Sequence, residues 1–337
     1  MKIKRALPLL MMMGLVAQPA LADKKLDEAV DKAQKQLEKG KPADARKTLE
    51  KLASKQSTSP DAHVALCLLY QRLGELDAAM ASAQAAAAAS ASATPALRAE
   101  AYATLASLDL RMGSGADALA HATEAQKAQP TALALATLAR AHARVGANSA
   151  ALEAAEKAVA ADANSMPAHE AMGEALAELG KGEEAIAAFR KALEVGVSLS
   201  CTLCNTNVVE LAKIRLAATL LGEGKTAEAV ILAQEASESD PQLGEAFAVL
   251  GTATLADDPK NSAKWSEAIG HAQQGAFVDA RNPLVRMAVA GIFEAAGNIQ
   301  QAEAAYKMAL QADPAYTPAR AALVHAQLRR NDLDGAL

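Results

Sequence analysis

The sequence predicts an all-α chain of stacked antiparallel helix pairs, and three observations carry that prediction. Alanine dominates the apolar share of a chain that is 51% hydrophobic, in runs such as Ala85 to Ala89. Aromatic residues make up only 3%, whereas a β-sandwich or barrel draws on aromatic and β-branched side chains. A short turn segment, mostly led by glycine, recurs at a spacing close to 34 residues. Alanine has the highest helix propensity and lets neighbouring backbones approach, so this composition favours closely packed helices. A length of 337 residues would by itself suggest about two domains. The repeat replaces that expectation with one quasi-linear stack, in which each unit buries only its neighbours' faces.

The first segment reads as a leader. Lys2, Lys4 and Arg5 form a positive n-region, Ala6 to Ala17 is a short apolar stretch, and Ala20-Leu21-Ala22 is a small-x-small cleavage site. The apolar stretch falls short of the roughly 20 residues that a spanning helix needs. The expectation is a signal peptide over 1–22, cut after Ala22, and a periplasmic or secreted mature chain with no membrane span. Removing 22 of 337 residues leaves 315. Removing the three basic leader residues from 34 leaves 31 against 39 acidic ones, a formal −8. Phosphate neutralisation needs clustered Lys and Arg, so an exported acidic chain without basic runs is not read as a nucleic-acid binder.

The repeat follows from aligning "GKPADA", "GELDAA", "GSGADA", "GANSAA", "GKGEEA", "GKTAEA", "GNIQQA" and the terminal "NDLDGA". Their last alanines are Ala45, Ala79, Ala118, Ala151, Ala185, Ala229, Ala302 and Ala336, with Ala268 closing "KWSEA" between the sixth and seventh. Successive spacings are 34, 39, 33, 34, 44, 39, 34 and 34. A helical pattern precedes each turn and another follows it. Gly40, Gly74, Gly113, Gly146, Gly180, Gly224 and Gly297 stand where a helix end favours a left-handed residue. Opposite each post-turn alanine the first helix offers a small residue: Ala33, Cys67, Ala106, Ala139, Gly173, Ala217, Gly251 or Ala290. Small facing small lets two helices cross closely. Prolines such as Pro130, Pro241 and Pro314 then end the second helix.

"FAVLGTAT" from Phe247 to Thr254, "AHEAMGEAL" from Ala168 to Leu176, "AIAAFRKAL" from Ala185 to Leu193 and "AEAAYKMAL" from Ala302 to Leu310 resemble the tetratricopeptide repeat. That family's pattern runs W-x2-L-G-x2-Y, then A-x3-F, then P. The resemblance covers nearly the whole chain after the leader. It implies a right-handed superhelical α-solenoid over 23–337 with eight full repeats, at about 26–59, 60–93, 99–131, 132–165, 166–199, 210–243, 244–282 and 283–316. A partial ninth covers 317–337, and an insert over 200–209 carries a CxxC. The family's aromatic positions are mostly Ala, Leu or His here, which thins each unit. Pro318 to Arg330 serves as the capping helix, or the chain is truncated.

Cys201 and Cys204 are the most conspicuous candidates for chemistry. In an oxidising compartment nearby thiols tend to pair, so the bland reading is a local disulfide. A thiol–disulfide redox protein is the alternative, although no thioredoxin-like setting or electropositive neighbourhood surrounds the pair. Haem attachment needs His after the second cysteine, where Asn205 stands. Two thiols alone leave zinc short of two ligands. Cys67 holds a small-residue packing position and reads as a buried thiol. His63, His121, His142, His169 and His271 fall on repeat-register positions and read as packing residues. The sequence contains no phosphate loop, no G-x-G-x-x-G after a strand and no G-x-S-x-G elbow. Neither metal nor cofactor is expected, and no catalysis.

In proteins with these repeats the first helices line the concave face. Carried over by register, Arg72, Arg111, Arg140 and Arg144 point inward from repeats two to four. Glu170, Glu174 and Glu178 follow in repeat five. A basic stretch beside an acidic one suits an extended or helical partner segment of complementary charge. Ordinary solvated helix faces are the bland reading of the same residues. The family's inward Lys and Asn pattern for a terminal carboxylate is absent. Reversing Arg140 and Arg144 together is expected to weaken partner capture while leaving the array folded. The overall expectation is a non-catalytic protein–protein interaction scaffold, adaptor or assembly factor in the periplasm or cell envelope, within an envelope complex. A helper of polysaccharide export or outer-membrane assembly is a further alternative. Ser90 to Arg98, rich in Ala, Ser and Thr, is expected to form a softer joint.

Overall fold

A computed structural model describes residues 24–197, 205–259, 261–280, 282–314 and 316–329. Among them the chain forms helices and no strands. The pairs run α1 (Lys24–Glu38) with α2 (Pro42–Lys55), α3 (Pro60–Arg72) with α4 (Leu76–Ala89), α5 (Pro95–Met112) with α6 (Gly115–Ala128), and α7 (Ala132–Arg144) with α8 (Asn148–Ala161). They continue with α9 (Met166–Glu178) and α10 (Gly182–Val197), α11 (Asn205–Gly222) and α12 (Thr226–Ser239), α13 (Gly244–Asp257) and α14 (Ser262–Val278), and α15 (Pro283–Ala295) with α16 (Ile299–Ala312). A last helix, α17 (Thr317–Arg329), caps the described stack. This is an all-α solenoid of adjacent helix pairs.

The small-residue seams account for the pairing. Cys67 and Ala79, Ala106 and Ala118, and Ala290 and Ala302 are all fully buried. At Gly251 a Cβ would stand 2.7 Å from the carbonyl oxygen of Ala268, so any side chain would force α13 and α14 apart. At Gly173 a Cβ would stand 2.8 Å from three ring carbons of Phe189, which is 1% exposed. The missing side chain of α9 therefore makes room for the one large ring of α10. Apolar clusters overlap along the chain, one spanning α1 to α5, the next α5 to α9 and another α13 to α17. Among the described residues the apolar clusters form no single central core, and stability is a chain of neighbour terms.

The turns follow the expected chemistry. All seven glycines named from the sequence adopt positive φ. Gly180, at φ +73, lets Lys181 N–H donate to Leu176 O at 2.9 Å while its own N–H donates to Ala177 O at 2.9 Å. These paired bonds close the helix end and satisfy carbonyls that would otherwise be orphaned. Thr94, Thr131, Ser165, Asn282 and Asn298 each accept from a backbone N–H of the first helical turn, as capping residues do.

A second device replaces several missing aromatics. His63 and His169, each fourth in its repeat, hydrogen-bond carbonyls six residues back, those of Ser57 at 3.1 Å and Ala163 at 2.8 Å. Arg286 and Arg320 hold the same place and donate to Ala280 O at 3.1 Å and Pro314 O at 2.5 Å. These side chains fasten the turn between consecutive repeats. The expected soft joint at Ser90 to Arg98 is fastened too. It holds a 3-10 turn over Ser90–Ser92, a buried Ser90 and an Arg98 side chain that donates to Ser90 O and Ala91 O. Trp265, in the seventh repeat, donates its ring N–H to Pro259 O at 2.8 Å.

Candidate binding lumen

The first helices face one another across a cavity of about 770 Å³. Its wall takes residues from α3, α5, α7, α9, α11, α13, α15 and α17 in turn, which makes it a lumen running inside the coiled stack. Apolar side chains, among them Leu110, Leu133, Ile214 and Leu284, supply much of the wall. Of the inward candidates, Arg111, Arg140, Arg144, Glu170, Glu174 and Glu178 all line this lumen. Arg72, the last residue of α3, is half-buried and lies outside the wall.

The lumen is narrow because the stack curls back on itself. Arg144 at the end of α7 pairs with Asp313 beyond α16, Nε to Oδ2 at 3.3 Å, with the two side chains only 9% and 4% exposed. Its guanidinium carbon sits 4.5 Å from the ring centroid of Tyr316, a cation–π arrangement. At Gly113, in the α5–α6 turn, a Cβ would stand 3.1 Å from Ala312 O. The end of the eighth repeat thus seats against the third and fourth. A side chain there would press on Ala312 and strain the left-handed backbone, so glycine suits this close approach.

The wall charges form a network instead of two separate patches. Arg215 of α11 reaches Glu174 at 2.6 Å through Nη1, Glu170 at 3.4 Å through Nε and Glu245 at 3.9 Å through Nη2. Arg140 approaches Glu174 at 3.2 Å. Burial opposes the charge on Arg215, but Glu174, Glu245 and Glu170 outweigh it and hold the guanidinium pKa above its usual range. Glu170 is pushed up by burial, against the pull of Arg140 and Arg215. Burial also raises Glu178, reinforced by Glu174 and countered by Arg144. Asp279, at the end of α14, is raised by burial although Arg111 opposes the shift. Asn282 caps α15 through Leu284 N and donates to Glu245 at 2.7 Å and Asp279 at 3.2 Å, which joins three helices at the wall.

This geometry changes one expectation. Arg140 and Arg144 are not free groove charges that can be reversed without harm. Each sits in a partly or largely buried ion pair, and leaving a buried partner uncompensated costs about 3–5 kcal/mol. Arg215, Glu245, Asp279, Asp313 and Tyr316 were not singled out from the sequence. Continuing the inward register past the insert into α11 and α13 would have brought Arg215 and Glu245 into view. Asp313 and Tyr316 belong to an inter-repeat turn and carry no local signal.

Among the described residues no group of three His, Cys, Asp or Glu side chains is placed to hold a metal. None of the described helices is long and apolar enough to cross a membrane. Cys67 is free and buried; burial raises its thiol pKa to about 11, partly offset by a hydrogen bond from Gln71. His121 pairs with the buried Asp109 at 2.7 Å. Cys201 and Cys204, and the leader with its cleavage site, lie outside the described residues.

The human IFIT1 dimer with PPP-AAAA is similar over 93% of this chain and 79% of that one, at 14% identity and a TM-score of 0.58. A monomeric IFIT1 mutant with Gppp-AAAA is similar over 94% and 81%, at 13% identity and a TM-score of 0.57. A tetratricopeptide repeat protein from Parabacteroides merdae covers 90% of this chain and 99% of its own, at 15% identity and a TM-score of 0.47. At these identities the likeness is one of fold. No curated protein matches the chain. The tetratricopeptide repeat model matches residues 30–94, 137–196 and 254–317, more than half of the sequence. Such repeats are a scaffold for protein–protein interaction, and the chain belongs to the tetratricopeptide repeat family.

Proposed function

We propose that this protein is a non-catalytic scaffold that receives a segment of a partner protein in its lumen, and that it does so outside the cytoplasm, as an adaptor or assembly factor of the cell envelope. The cavity of about 770 Å³, walled by eight successive first helices, carries this reading. It falls in the range that encloses a small ligand or a few residues of chain, and its wall mixes apolar surface with a few fixed charges. The location rests on the n-region, apolar stretch and small-x-small site of the first 22 residues. A polyanionic ligand such as the one named with human IFIT1 suits this lumen poorly, because its wall holds more carboxylates than guanidinium groups.

A photo-crosslinking amino acid placed in intact cells tests the reading. Substituted at Ser107 on the lumen wall, it is expected to give discrete protein adducts; at the outward Lys157 it is expected to give none. Adducts from the outer position alone would overturn the lumen as the partner site. The mass of the purified mature chain checks the proposed location, since export predicts an N-terminus at Asp23.

A further inference from the structure

The lumen is short of positive charge. Arg144 is committed to Asp313 and capped by Tyr316, which leaves Arg111, Arg140 and Arg215 on the wall. Facing them are Glu170, Glu174, Glu178, Glu245 and Asp279. Arg140 and Arg215 are absorbed by Glu170, Glu174 and Glu245. Arg111 acts on Asp279 from a distance, as does Arg286 from outside the wall. Among the described residues the Glu178 carboxylate lies within 4 Å of no cation and feels Arg144 only from a distance, whereas buried Glu170 already meets Arg215 Nε at 3.4 Å. The wall thus carries more carboxylates than guanidinium groups, and a ligand cation complements that excess.

We propose that the occupant of the lumen is a segment carrying a basic side chain, Lys or Arg, between apolar residues, with Glu178 as its main counter-charge. The proposal rests on the lumen reading above and narrows it to one chemistry. The apolar flanks meet Leu110, Leu133 and Leu284, which line the same cavity. Glu178, at the last residue of α9, lines the lumen and is exposed to its solvent. An incoming ammonium or guanidinium can therefore reach it without dismantling the Arg215 network.

Three fluorescent apolar peptides differing only at a central Lys, norleucine or Glu test this on the full mature chain by anisotropy. The Lys peptide is expected to bind at least about 10-fold more tightly than either other, a difference of about 1.4 kcal/mol. Glu178→Gln is expected to erase most of that preference while leaving the norleucine peptide unchanged and the helical circular dichroism intact. Equal or tighter binding of the norleucine or Glu peptide would overturn the charge assignment and leave the lumen reading standing. Should none of the peptides bind, even to an Asp313→Ala variant with the clasp loosened, both readings fall.

Discussion

The α9–α10 seam and the Arg144 clasp hold the same array together by opposite means. At the seam a glycine on one helix admits a ring from the next, with Phe189 1% exposed and partners ten to twenty residues apart. At the clasp a guanidinium meets a carboxylate and a phenol ring across five repeats, from Arg144 to Asp313 and Tyr316. The seam makes a repeat; the clasp sets how tightly the repeats coil. Losing the first should unfold locally and cooperatively, whereas losing the second should relax the curl while the helices persist.

Phe189→Ala should therefore have the largest effect on stability, about 3–5 kcal/mol, because a fully enclosed ring leaves a cavity that Gly173 cannot fill. Chemical denaturation followed by circular dichroism measures it, and a loss below about 1 kcal/mol would contradict the packing described. Arg144→Met should cost about 3 kcal/mol by breaking a largely buried ion pair. Its distinctive readout is shape: the radius of gyration from small-angle scattering should rise while helical content stays constant. An unchanged radius would mean that the clasp does not set the curl.

Glu100 sharpens the comparison through pH. Its carboxyl, buried in α5 between repeats, is pushed up to about 8, chiefly by burial and further by Asp61. In the unfolded chain the group ionises near 4.5. Between these values the folded chain keeps a proton that the unfolded chain releases. Stability from this group is thus full below about pH 4.5 and is lost as the pH rises toward 8. Glu100→Gln should flatten that dependence and stabilise the protein by about 2–3 kcal/mol at pH 8 relative to pH 5. Parallel melting curves for variant and wild type at both values would refute this. The smallest effect belongs to Gly180→Ala, where the new methyl finds open space but φ is +73. The backbone penalty alone predicts about 1 kcal/mol, read as a small drop in the unfolding midpoint.

Much of the fold was legible in order along the chain. Glycines at the turns, alanines after them and small residues opposite are short-range requirements, each satisfied within one helix pair. The turn-fastening role of His63, His169, Arg286 and Arg320 was half visible. The register position of the two histidines stood out while that of the two arginines was not singled out, and all four hydrogen bonds depend on how the preceding turn folds. Because register carries from one first helix to the next, the inward stripe was readable from Arg111 to Glu178, but not at Arg72. What the charges do there was not readable. Arg140 and Glu174 read as neighbouring patches of opposite sign, and the structure joins them through Arg215 into one partly buried network.

The amino-acid pattern was enough to specify the helices, their pairing and the face each turns inward, since every one of these rests on residues a few turns apart. The curl that brings Asp313 and Tyr316 onto Arg144 and closes the lumen came from the assembled stack. Each repeat adds a small rotation set by side-chain packing, and over five repeats these rotations sum to a closure that no local motif encodes.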